Sequence, residues 1–189
     1  RLESAGANAI AIPCNTAHAF VERIQPHLRV PIVNMLSETV EWVERTYGAG
    51  ITLGLLATTG TLQSQVYHEA ARRAGLHVVT PGPNYQTLVM EAIYGERGIK
   101  AGFTEGICKE QLLVAAEHLC DLGAQVLILG CTELPLVLEH SPALSINRYS
   151  VPLVDPTTLL AIATWESKAH RDAKDDRRDE TVRTILDTH

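Results

Sequence analysis

Short apolar runs alternate with longer amphipathic stretches along this chain. Residues 6–13, Gly-Ala-Asn-Ala-Ile-Ala-Ile-Pro, read as a buried strand, and Asn15-Thr16 opens a helical stretch through Ala17, Phe20, Val21 and Ile24. Residues 30–34 form a second short strand, followed by Ser37 as the cap of a helix carrying Val40, Trp42 and Val43 that Gly48 and Gly50 stop. The run 51–57 lacks polar alternation, as expected of a parallel strand with helices on both faces, and Thr58 to Thr61 is its C-terminal loop. A helix ending at Ala74, a C′ Gly75 and a strand over 76–79 continue the alternation until Pro81-Gly82-Pro83. Leu88, Val89, Ala92 and Ile93 sit at helical spacing, a helical period holds from Thr104 to Leu122, and residues 125–129 are a further strand.

Repeated strand-helix units predict a doubly wound α/β protein, whose ligands bind beyond the carboxyl ends of the strands. Cys14 and Cys131 both fall there, each on a strand-to-helix turn. The two also belong to an internal repeat. Residues 6–14 match 123–131 at an offset of 117, sharing Gly, Ala, an amide, an apolar run and Cys, and residues 30–34 match 151–155 at an offset of 121. This predicts two similar parallel-sheet modules related by pseudo-twofold symmetry, one formed by residues 1–47 with about 155–189 and the other by residues 48–154. The strand and loop ending at Thr61 have no counterpart before Arg1, so the first module is expected to be incomplete, its N-terminus cut by several tens of residues.

Composition narrows the function. The 189 residues carry 16 Lys and Arg against 22 Asp and Glu, a net charge of −6, with 46% hydrophobic and 5% aromatic residues. A mildly acidic chain poor in aromatic rings does not suit a nucleic-acid groove. No apolar run is long enough for a membrane span, and there is no signal peptide, so a cytoplasmic location is expected. The four cysteines, at 14, 108, 120 and 131, form no CxxC, and the eight histidines no HxxxH, which speaks against a metal site. Cys108 and Cys120 lie on the apolar side of one helix and read as core. The charged run from His170 to Glu180 reads as a solvated helix or frayed tail.

Two thiols facing one ligand from opposite modules could remove a proton from one face of a carbon and return one to the other. A thiol titrates near enough to neutrality for both forms to be accessible, and repulsion between two thiolates favours the singly protonated pair. Backbone amides at Asn15-Thr16 and Cys131-Thr132 suit a carboxylate, and Thr58 and Thr61 could add hydroxyls.

The strings Pro13-Cys14-Asn15-Thr16-Ala17-His18, Gly54-Leu55-Leu56-Ala57-Thr58 with Gly60-Thr61, and Gly130-Cys131-Thr132-Glu133-Leu134 resemble the cofactor-independent aspartate/glutamate racemase superfamily, the aspartate racemase branch most nearly, over Gly6 to about Ala163. The resemblance implies an amino-acid racemase without pyridoxal phosphate, with Cys14 and Cys131 as proton donor and acceptor, Asn15, Thr16 and Thr132 holding the α-carboxylate, and Thr58 nearby. Lys100 resembles the lysine with which aspartate racemases hold the side-chain carboxylate, and its usual arginine partner falls in the N-terminal part this chain lacks. Glu133 stands where glutamate racemases typically carry histidine, as in the aspartate-type or broad-specificity branch. Its residue-level reading is divided between a partner of the site and a first-turn helix residue. His18, one turn after Cys14, is likewise divided between orienting the site and capping. Hydantoin racemases and maleate isomerases are enzyme alternatives, and a noncatalytic dicarboxylate-binding protein or a thiol-redox protein are alternatives of other classes. The partner expected is a small amino acid, with assembly left open between a single chain and a homodimer.

Overall fold

The structure, a computed structural model, describes residues 1–166. The charged run from His170 to Glu180 lies outside the described residues.

Two sheets carry the architecture. The smaller pairs β1 (Ile10–Ala11) with β2 (Ile32–Val33) in parallel. The larger has five strands: β3 (Thr52–Ala57), β4 (His77–Val79), β5 (Val126–Gly130), β6 (Ser141–Ile146) and β7 (Tyr149–Val154), in the order β4-β3-β5-β7-β6. All its neighbours are parallel except β6 and β7. From β3 the chain goes outward to β4, then crosses back to β5 on the other side, so the strand order reverses between β3 and β5. In open α/β sheets that reversal opens a crevice at the carboxyl ends of the two strands.

Alternation along the strands sorts the core onto two faces. Leu53, Leu55, Ala57, Val126 and Ile128 join Leu36, Val40 and Val43 of α2 (Met35–Tyr47) and Tyr67 and Ala71 of α4 (Val66–Arg73). Leu56, Leu127 and Leu129 point the other way, onto Val89, Ala92 and Ile93 of α5 (Pro83–Tyr94) and Leu112, Ala115, Ala116 and Leu119 of α6 (Ile107–Asp121). A third cluster joins Val33 and Met35 at the end of the small sheet to Leu160 and Ala163 in the helical residues 156–166.

The internal repeat is visible in the hydrogen-bond register. Ile10 and Ala11 pair with Ile32 and Val33, and their repeat equivalents Leu127 and Ile128 pair with Leu153 and Val154. The equivalence extends to the helix starts. Asn34 Oδ1 accepts from the N–H groups of Leu36 and Ser37, and Asp155 accepts from those of Thr157 and Thr158. Each short polar side chain satisfies amides that the first helical turn leaves unpaired. Asn34 therefore caps α2, and the expectation that Ser37 does so is corrected.

The helical stretch after Cys14 is a 3-10 turn, Thr16–Phe20, leading into the single-turn α1 (Val21–Ile24). The helix expected to run up to Ala74 is two, α3 (Thr59–Gln63) and α4, broken where Gln65 takes a left-handed φ of 57°. β6 was not anticipated. It is a largely exposed edge strand, Ser-Pro-Ala-Leu-Ser-Ile, turned back antiparallel through Asn147.

Candidate functional site

The carboxyl ends of β3 and β5 set the site. Ala57 and Gly130 are register partners, so the next residues, Thr58 and Cys131, leave adjacent strands side by side. Gly130 must lack a side chain, since a Cβ there would lie 2.7 Å from Leu55 Cδ1 and 2.9 Å from Ala57 Cβ. After Cys131 the chain makes a 3-10 turn, Leu134–Leu136, rather than the α-helix expected.

Beside Cys131 three donors converge on Glu133. Cys131 Sγ donates to Glu133 Oε2 at 2.9 Å, Thr132 Oγ1 donates to the same oxygen at 3.2 Å, and the Lys100 ammonium donates to Glu133 Oε1. Lys100 Nζ also stands 5.4 Å from the Tyr94 ring centroid. Cys131 is buried, and burial together with the carboxylate it bonds pushes its thiol up to about 12. Partial burial acts to raise the Glu133 carboxyl, but the hydrogen bonds from Cys131 and Lys100 outweigh it and hold that group down to about 2. The Lys100 ammonium is raised above its ordinary value by the Glu133 hydrogen bond. The local arrangement is thus a neutral thiol against a carboxylate anchored by a cation.

The Cys14 side is built differently. Cys14 is exposed, and its carbonyl accepts from His18 Nδ1 at 2.8 Å. The other ring nitrogen of His18 accepts from the Met35 N–H at 3.1 Å, so the buried imidazole is the neutral tautomer and ties the Cys14 turn to the start of α2. Burial lowers its pKa. His18 thus has a definite structural role, which its position in the sequence left open.

Next to Cys14, Asn15 is 3% exposed and accepts from the Tyr67 hydroxyl at 2.6 Å, while its Nδ2 is buried with no hydrogen-bond partner among the described residues. Thr16 Oγ1 lies 2.7 Å from Thr61 Oγ1 and 3.4 Å from Thr58 Oγ1, and Thr58 caps α3 through the Thr61 N–H. Sequence reasoning missed Tyr67 and the Lys100–Glu133 pair. No local pattern signals either, because the partners stand 52 and 33 residues apart.

Thr16, Thr58 and Thr61 therefore form one hydrogen-bonded cluster, Asn15 beside Thr16 in the chain bonds separately to Tyr67, and Lys100, Cys131 and Thr132 form a second cluster around Glu133. The pairing of β3 with β5 sets Thr58 of the first beside Cys131 of the second. All four cysteines are free thiols; Cys108 and Cys120 are buried on α6, as expected of core residues. Among the described residues no group of three His, Cys, Asp or Glu side chains could hold a metal ion, and no helix is long and apolar enough to cross a membrane.

Comparison with known proteins bears on the family and the fold. The profile of the family described as Asp/Glu/Hydantoin racemase matches residues 1–164. The broad specificity amino-acid racemase RacX of Bacillus subtilis (strain 168) is 28% identical over 165 residues, covering 87% of this chain and 66% of that protein. The aspartate racemase of Picrophilus torridus superimposes with a TM-score of 0.65 at 26% identity, covering 86% of this chain and 65% of that one. An aspartate racemase homologue from Pyrococcus horikoshii OT3 gives a TM-score of 0.67 at 27% identity, covering 86% and 70%. The chain thus spans about two thirds of the length of these relatives.

Proposed function

This chain belongs to the Asp/Glu/Hydantoin racemase family, and we propose that it is an amino-acid racemase for aspartate or a related amino acid, acting without pyridoxal phosphate through Cys14 and Cys131. The observation that carries the reading is the contrast between the two thiols. Cys131 is buried and held protonated against Glu133, while Cys14 stands exposed on a turn pinned by His18.

In one direction Cys14, as thiolate, takes the Cα proton: the C–H bond breaks, its electron pair moves into the carboxylate as enolate character, and an S–H bond forms. Cys131 then gives its thiol proton to the opposite face, and the two sulfurs exchange protonation states. In the reverse direction the roles swap. The free Asn15 Nδ2 and the Thr16, Thr58 and Thr132 hydroxyls suit the α-carboxylate, whose charge grows as the proton leaves. Lys100 supplies the cation for a side-chain carboxylate. Incubating the intact protein with single enantiomers of amino acids and separating the products on a chiral column tests the proposal. Conversion of aspartate is expected; turnover of hydantoins with none of any amino acid would overturn it.

A further inference from the structure

Resting on that reading, we infer that Glu133 determines the discrimination between acidic and neutral substrates, because it already occupies the cation that an incoming distal carboxylate needs. Its two oxygens are divided: Oε2 accepts from Cys131 and Thr132, and Oε1 accepts from Lys100. Glu133 is the carboxylate that pairs with Lys100 among the described residues. The pair is within reach of a ligand, with the Lys100 side chain 43% exposed and that of Glu133 23%.

The base of Lys100 is fixed. It rides on the 3-10 turn Ile99–Ala101, anchored by buried Ile99. The preceding Gly98 packs so closely on α5 that a Cβ would lie 2.9 Å from the Glu91 and Ala92 carbonyls. The turn closes on Gly102 at a left-handed φ of 94°. Any exchange of partners is therefore a swing of the lysine side chain and not a movement of its backbone. A dicarboxylate must displace or share Glu133 Oε1, whereas a ligand without a distal carboxylate leaves the pair intact. Glu133 thus acts as a resident competitor that narrows the advantage of acidic substrates.

The test is calorimetric binding of succinate and of propionate to the intact protein at one fixed ionic strength. The proteins compared are wild type, Glu133→Gln, Lys100→Met and the double variant. Glu133→Gln is expected to tighten succinate by about three- to tenfold, the range of one ordinary hydrogen bond, and propionate by less than about twofold. In the Lys100→Met background the same change is expected to leave the succinate-to-propionate ratio unaltered. A merely structural Glu133 would weaken both ligands together. That result, or a succinate gain that persists without Lys100, overturns the inference while leaving the racemase reading standing. Wild-type protein that binds propionate and succinate with equal affinity, and that keeps this equality in Lys100→Met, overturns both the inference and the acidic-substrate assignment.

Discussion

The hydroxyl oxygens of Thr16 and Thr61 lie 2.7 Å apart across 45 residues of chain, joining the Cys14 turn to α3, the short helix that follows β3. Thr61 is 1% exposed, and its hydroxyl also lies 3.1 Å from Thr58 Oγ1. Replacing it by valine keeps the shape and leaves the Thr16 and Thr58 hydroxyls short of a partner in a water-poor place. Thr61→Val is expected to lower the unfolding free energy by about 1–3 kcal/mol, read from urea midpoints at unchanged slope. It should also reduce racemisation more than a stability loss of that size explains, because the Cys14 turn is then held less firmly against the carboxyl end of β3.

A second expectation follows from His18. Both of its ring nitrogens are used in the neutral form, and a proton on Nε2 would face the Met35 N–H. Burial lowers its pKa, as it does that of His68. Below pH about 6.5 the unfolded chain takes up protons that the folded chain refuses, so this stability is complete above that pH and is lost as pH falls toward 5. Glu38, whose carboxyl is raised by burial and by Glu41, acts in the opposite sense, so the informative quantity is a difference. Unfolding free energies between pH 7 and 5 should decline more steeply in wild type than in His18→Gln, by up to about 1.4 kcal/mol per pH unit.

The cysteines should differ in reactivity. Exposed Cys14 is expected to be alkylated by iodoacetamide at pH 7.5 at least about 100-fold faster than Cys131, whose thiol is buried and pushed up to about 12. Labelling of Cys131 should climb steadily to pH 10 without a plateau, since its thiolate fraction is still rising there. Residue-resolved mass spectrometry follows both sites in one sample; equal rates would contradict the assignment of Cys131 as the resting thiol.

Much of this arrangement was legible in the chain because its cause is local. Uninterrupted apolar runs placed Cys14 and Cys131 on strand-to-turn junctions, and the two repeated segments pointed to a duplicated unit, whose strands the structure pairs as β1–β2 and β5–β7 in equivalent register. Asn34 was overlooked as a cap because Ser37, an equally good capping type, lies within the same turn. β6 was hidden because an exposed edge strand containing Pro142 needs neither an apolar run nor alternation. The short 3-10 turns after both cysteines look like helix starts in sequence, since the same residue types favour either. Glu133 was beyond a local reading: its partner Lys100 sits on a separate turn, and only the fold brings the two together.

The most direct test of the central claim, that two thiols act on opposite faces of one Cα, is racemisation of L-aspartate and of D-aspartate in deuterated water, with the isotope content of both enantiomers followed from the earliest time points. The account predicts solvent deuterium in the product enantiomer, almost none in the remaining substrate, and a loss of turnover of at least about 1,000-fold in Cys14→Ala and in Cys131→Ala alike. Deuterium appearing equally in substrate and product, or either single variant racemising at the wild-type rate, would contradict it.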